Sequence, residues 1–334
     1  MATPVDTEPA TPPTSPSSAP ADRGPARPSA APATTRRALL PTGVRGMVLA
    51  TVATVIWSGN FVIADGMSGS IPPIQLAFWR WVIALVAVAP LAVRHVRRDW
   101  PVIRRHLGFL SLAAVLGVTL FNTLIYTAGH TSPATNMALL AAASPLVIVI
   151  GARVLWRERM SATRWTGALL SLVGIVVLIT KGSLSTLLGL DFSTGDLWMV
   201  AAMLTFAAYS LMLRRTPEGI SGLSLLLGTF TLGTAFLAPA YAWDVTAHGG
   251  FDVHPSTAGA LLYVGVLSSA VAYFAWNKAI ATVGAGRAGV VYYLEPAFVA
   301  LLAFFALGEG INLAQIASMV LIAIGVALSS RSKA

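Results

Sequence analysis

The chain has 334 residues, is 56% hydrophobic and only 10% charged, and has a mean hydropathy of +0.74; soluble domains carry roughly 25% charged residues, so the composition excludes an ordinary soluble domain and points to a membrane protein. The absence of cysteine excludes disulfides, iron–sulfur clusters and thiolate zinc sites. The formal net charge of +9 fits nucleic acid or an anionic membrane surface, and the placement of the basic residues decides between them.

Residues 1–43 are rich in Pro, Ala, Thr and Ser and poor in large apolar residues. They cannot bury enough surface to offset chain entropy, so a disordered cytoplasmic tail is expected, without the apolar core of a signal peptide. The character then changes abruptly. Apolar segments of about 20 residues, long enough to span a bilayer, follow one another with short connections. They are expected at 46–64, 74–93, 107–128, 134–155, 163–180, 194–213, 221–242, 257–277, 287–307 and 311–329. The runs are continuously apolar and not alternating, so they read as helices and not as barrel strands. An all-α membrane protein of about ten transmembrane helices follows.

The basic residues cluster in every second connection. Arg36, Arg37 and Arg45 precede the first span, Arg94, Arg97, Arg98, Arg104 and Arg105 lie between the second and third, and Arg153, Arg157, Arg159 and Arg164 surround the connection from the fourth to the fifth. Arg214 and Arg215 follow the sixth span, Lys278 and Arg287 flank the eighth-to-ninth connection, and Arg331 and Lys333 follow the tenth. The opposite side carries Lys181 alone. This pattern predicts both termini in the cytoplasm and accounts for the net charge by contact with the lipid bilayer, without nucleic acid.

The chain also repeats itself. Pro145 and Pro296, Glu158 and Glu309, and Gly174 and Gly325 all stand 151 residues apart. The first span of each half carries a small-and-aromatic stretch, Trp57-Ser58-Gly59-Asn60-Phe61 and Ala207-Ala208-Tyr209-Ser210. Five spans per half force the halves into opposite orientations, which makes two inverted five-helix repeats, expected at 44–181 and 193–330. In secondary transporters such repeats place the substrate site near the bilayer midplane, between the halves.

With these stretches, and with Phe78-Trp79-Arg80-Trp81, 122–128, 145–158 and 295–309, the chain resembles the drug/metabolite transporter superfamily, specifically EamA-type permeases with two homologous halves. The resemblance covers roughly residues 44–330. It implies a cytoplasmic-membrane permease that mostly exports amino acids or related small metabolites. It also implies a central cavity lined by the first, third, fourth, sixth, eighth and ninth spans.

Glu295 is the leading candidate site residue. It lies 8 residues beyond Arg287, roughly 12 Å along a helix at about 1.5 Å per residue, near mid-membrane. An ionisable group at that depth is costly and marks a functional site, binding a substrate amine or carrying a proton in exchange; the alternative is a structural carboxylate paired with a hydroxyl or an arginine. Its counterpart in the first half is Ser144, so this charge is not a shared feature of the two repeats, unlike Pro296 and Glu309. Arg80 is the other ionisable residue well inside a span. It either snorkels outward or faces inward to hold a substrate carboxylate or neutralise Glu295. Its neighbours Trp79 and Trp81 also suit interface anchoring.

The amides Asn60, Asn122, Asn136 and Asn277 face protein or a water-filled cavity, since a lipid-facing amide is expensive. Asn122 and Tyr126 share a helical face, as do Tyr273 and Asn277, and the two pairs are again 151 apart, suggesting one cavity wall from each half. Trp57, Tyr209, Trp276, Tyr292 and Tyr293 suit a cavity for flat or amphipathic solutes; Tyr292 and Tyr293 cannot both face the same way on a helix. Glu158 and Glu309, symmetric and at span ends, read as capping or pairing groups. Gly167, Ser171 and Gly174 mark a close-packing face.

The five histidines, His95, His106, His130, His248 and His254, fall in or beside polar connections, so neither a metal centre nor a cofactor is expected. Gly66-Met67-Ser68-Gly69 matches a short intramembrane-protease pattern but has no partner histidine in a span, which argues against an enzyme. A channel or membrane scaffold is the other alternative to a secondary transporter of a small molecule, with protons as a candidate second partner. The sequence assigns no oligomeric state.

Overall fold

The computed structural model describes residues 41–67, 70–129, 131–132, 137, 140–141, 143–157, 161–189, 191, 193–307 and 311–331, which belong to one unit beginning at Leu40. The N-terminal tail, Ser68, Asn136, Glu158 and Glu309 lie outside the described residues. The helices are α1 (Thr42–Met67), α2 (Pro73–Ile103), α3 (Leu107–Ala128), α4 (Ser144–Trp156), α5 (Ala162–Ile179), α6 (Thr194–Met212), α7 (Gly222–His248), α8 (Pro255–Val283), α9 (Ala285–Tyr292), α10 (Glu295–Leu307) and α11 (Leu313–Arg331). No strand occurs among the described residues. Six of these helices are long and apolar enough to cross a membrane, and α4 and most of α11 are shorter apolar helices. Large apolar side chains such as Val86, Val154, Leu197 and Phe305 stand exposed on the outside of the bundle, where a bilayer and not water is the compatible solvent.

Local chemistry starts the helices where it is needed. Pro73 stands in the first turn of α2, where its missing N–H leaves nothing unpaired. Ser161 and Ser221 cap α5 and α7 by accepting from the backbone N–H three residues on. At the start of α6 the Asp196 carboxylate reaches back to accept from the Ser193 N–H at 2.6 Å.

The ninth pass, expected as one continuous span, is broken. Pro296 cannot donate to the carbonyl one turn earlier, and the chain tightens there: Tyr293 N–H and Leu294 N–H donate three residues back, to Val290 and Val291. α10 then starts at Glu295. α4 starts at Ser144, one residue before Pro145, and both helices run 13 residues. The 151-residue offset therefore holds for both ends of this helix pair.

Packing follows the same symmetry. α1 packs on α8 and α6 on α3; α2 pairs with α7, α4 with α9, and α5 with α11. The α1–α8 contact maps onto α6–α3 when the halves are exchanged, and α2–α7 and α5–α11 each map onto themselves, as a two-fold-related repeat requires; the counterpart of α9, at 134–141, lies largely outside the described residues. The α2–α7 pair is clasped at both ends by an aspartate. Asp99, late in α2, accepts from the Ser221 N–H at 2.9 Å and the Ser224 hydroxyl at 2.7 Å, at the start of α7. Asp244, late in α7, accepts from the Gln75 amide at 2.9 Å, at the start of α2.

The α5–α11 crossing brings backbone against backbone. A Cβ placed on Gly325 would lie 2.3 Å from Ser171 Oγ and 2.5 Å from the Gly167 carbonyl oxygen, and one on Gly167 would lie 2.5 Å from the Gly325 carbonyl oxygen. Backbone atoms cannot yield as a flexible side-chain end can. Ser171 Oγ also donates at 3.4 Å to the carbonyl of Ile322, its own counterpart at an offset of 151. Gly325→Ala is expected to destabilise the protein by about 2 kcal/mol through overpacking. Gly259→Ala, in α8 with open space around it, is expected to be neutral or stabilising by up to about 1 kcal/mol. Thermal unfolding of both variants in detergent checks the contrast.

Candidate functional site

The third and eighth passes share a distortion. Val115–Leu120 in α3 and Tyr263–Val271 in α8 are wound as π-helix. Such a segment loosens the carbonyl ladder and is frequent at functional sites. Here the carbonyls of Gly117 and Ser268, 151 residues apart, each accept from an aromatic donor of the other half. Tyr273 Oη donates to Gly117 at 2.7 Å, and Trp57 Nε1 donates to Ser268 at 2.8 Å. Gly117 is required for this approach, because a Cβ there would lie 2.5 Å from the Tyr209 ring.

These bonds hold a box of rings at the junction of the halves. Trp57 lies 5.6 Å from Phe206, 5.6 Å from Tyr273, 5.4 Å from Trp276 and 5.9 Å from Tyr292, centroid to centroid. Phe206 also packs on Trp276 and Tyr292, and stacks on Phe121 at 4.7 Å. The box thus draws on α1, α3, α6, α8 and α9. Trp276 Nε1 donates to Ser210 Oγ and Tyr209 Oη to Asn277 Oδ1, so the polar edges of these rings are paired inside the protein.

Glu295 sits at one side of the box, 4% exposed, at the first turn of α10. Its backbone carbonyl accepts from Ser58 Oγ, next to Trp57, at 3.1 Å, and Tyr292 is within hydrogen-bonding reach of its carboxyl group. Its Oε1 is buried without a hydrogen-bond partner. Buried polar atoms are rarely left unpaired, and Asn60 Oδ1 and Asn122 Nδ2 are likewise without a partner.

Arg80 lies beyond Tyr273 on the other side. It is 1% exposed and faces inward; it does not snorkel. Its Nη1 donates to Asn122 Oδ1 at 2.7 Å and Tyr126 Oη at 2.9 Å, its Nε donates to Ser269 Oγ at 3.0 Å, and its guanidinium lies over the Trp81 ring at 5.1 Å. Among the described residues it pairs with no carboxylate, so Glu295 and Arg80 do not neutralise each other. Trp81 is fully buried against Tyr273 and Phe230 and is no interface anchor. Trp79, half-buried and donating to Tyr241, stays nearer the surface.

The structure therefore brings Trp57, Tyr209, Tyr273, Trp276, Asn277, Tyr292 and Glu295 into one neighbourhood, and Arg80, Asn122 and Tyr126 into the one beside it. Asn60 is in α1, with its Oδ1 buried and unpartnered. Tyr293 is not in the box. It packs with Val149, Ala168, Ile175 and Ala297 on the far side of α9. Sequence reasoning missed Phe206, the central ring, and the hydroxyls of Ser58 and Ser269. Phe206 stands three residues before Tyr209, on the same helical face, and that spacing was its one sequence signal.

Two stretches of the chain, 44–180 and 193–331, match the model of the EamA-like transporter family. The chain belongs to the EamA-like transporter family. A probable terminal-alkyne amino-acid exporter of Streptantibioticus cattleyicolor is 28% identical over 271 residues, covering 78% of this chain and 86% of the relative. An uncharacterized transporter of Bacillus subtilis is 24% identical over 278 residues, covering 83% and 90%. A riboflavin transporter of Brucella anthropi is 24% identical over 214 residues, covering 63% and 71%. A solved crystal structure superposes with a TM-score of 0.69 at 22% identity, covering 85% of this chain and 95% of the other, a likeness of fold alone. This EamA-like protein is accordingly a multi-pass membrane transporter of the drug/metabolite superfamily.

Proposed function

We propose that this EamA-like transporter is a secondary carrier of the cytoplasmic membrane that exports a small amine-bearing metabolite of the amino-acid class by alternating access of its two halves, 44–181 and 193–330. Glu295 carries the reading. It is a buried carboxyl group with an unpartnered oxygen, at the start of a discontinuous helix, beside an aromatic box built by both halves. Discontinuous helices at a repeat interface are where secondary transporters hold their solutes. Glu295 receives the solute's ammonium group or a proton in exchange, the rings hold its apolar part, and Arg80 supplies the opposite charge for a carboxylate. The name of the Streptantibioticus relative supports the substrate class and the direction. The arginine-rich connections gather at one end of the bundle, where Asp99 meets Ser221 and the Arg215 guanidinium stacks 4.4 Å from Trp156; this supports cytoplasmic termini.

Counterflow in proteoliposomes tests the proposal. A panel of amino acids is expected to include at least one giving saturable flux that a competitor suppresses. Flux at channel rates, or no counterflow with any member of the panel, overturns it.

A further inference from the structure

A second polar feature lies outside the aromatic box. A cavity of about 1020 Å³ opens at the arginine-rich end, bounded by the end of α4, the start of α5 and the connections from α6 to α7 and from α8 to α9. Arg164, Arg214, Lys278 and Arg287 line it, and among the described residues Glu218 is the one carboxylate in the lining. Basic residues are expected at this end of any membrane protein; two observations set this group apart. The cations line a concavity, whose low-dielectric walls focus their field. Lys278 and Arg287 are ion-paired with no carboxylate among the described residues. Asn277 also lines the cavity. It is 9% exposed, its Oδ1 is taken by Tyr209, and its Nδ2 is buried with no acceptor. The wall thus offers positive charge and an unused N–H donor, the combination that an oxyanion satisfies.

We infer that this vestibule binds the oxyanion group of a solute, a carboxylate or a phosphate, with Lys278 and Arg287 as its charge contacts and the Asn277 amide as its innermost donor. Tyr209 joins Asn277 to Tyr273, 5.9 Å away between ring centroids, and Tyr273 touches Trp57. The vestibule floor therefore abuts the box that leads to Glu295. Its use as the first station of export rests on the carrier reading above; its ligand chemistry does not.

The test is thermal unfolding of the full-length protein in phosphatidylcholine nanodiscs, titrated with succinate or inorganic phosphate against sodium chloride at equal ionic strength. Lys278 is exposed and Arg287 half-buried, so substitution there spares the core. A saturable rise in melting temperature is expected, with the half-saturating concentration raised at least about tenfold in the Lys278→Gln/Arg287→Gln double variant and recovered in Lys278→Arg/Arg287→Lys. A rise seen only on adding phosphatidylglycerol, with the same dependence on the variants, also supports the oxyanion site and makes a lipid headgroup its source. No response to any of these anions, or an equal response in wild type and the Gln double variant, overturns the inference. Counterflow on the same preparations separates the two readings. Flux without an anion response sinks the vestibule alone, and an anion response without flux sinks the carrier reading alone.

Discussion

Glu295→Gln is expected to lower counterflow at least about tenfold, a loss of roughly 1.4 kcal/mol of interaction with the transported species, and to remove the response of flux to an imposed pH gradient. Folding is expected to survive. The amide has the shape of the carboxyl group, its oxygen still faces Tyr292, and the bond from Ser58 goes to the backbone carbonyl and not to the side chain. What Gln cannot do is take up a proton or balance an ammonium group, which are the two roles open to a buried carboxyl with one unpartnered oxygen. Flux assays in proteoliposomes, with thermal unfolding as the folding control, check this. Wild-type flux with the wild-type gradient response would refute the role given to Glu295.

Arg80→Ala is expected to be among the most damaging single substitutions, destabilising the protein by about 3 kcal/mol. The guanidinium makes three hydrogen bonds to neutral partners at 2.7–3.0 Å. Bonds from a charged donor contribute about 1.5–3 kcal/mol each, and relief from burying the charge offsets part of their loss. Alanine also leaves a void beside Trp81. Arg80→Lys retains the charge but not the planar fork that reaches Asn122, Tyr126 and Ser269 from two nitrogens, so a smaller loss of about 1–2 kcal/mol is expected. Unfolding titrations in mixed micelles measure both, and a loss below about 1 kcal/mol for alanine would show that these bonds contribute little.

Much of the architecture was legible because its signals are local. Long apolar runs, alternating basic connections and prolines at a fixed offset need no tertiary knowledge, and the helix starts at Ser144 and Glu295 sit beside the two prolines that marked the repeat. The interior was less legible. An arginine a few residues inside a span has the same sequence whether it snorkels or turns inward, and only packing against Asn122, Tyr126 and Trp81 decides it. The sequence of Tyr292 and Tyr293 does not say which ring faces inward; packing puts Tyr292 against Trp57 and Tyr293 against Val149 and Ile175. Phe206 gives no sequence signal of its own, because an apolar ring in an apolar helix carries no contrast. The π-helical stretches, whose carbonyls receive Trp57 and Tyr273, are written in no residue type and emerge only from the packing of the halves.

The crossing of Gly167 with Gly325 has a consequence for movement. Backbone lies against backbone there, with Ser171 bonded to Ile322, so separating the two helices breaks contacts that nothing replaces. Turning one against the other displaces few side chains, because few intervene. In the alternating access proposed above, the crossing serves as the fulcrum: small angular changes at these glycines become displacements that grow with distance along each half, out to the ends of the bundle where the solute comes and goes.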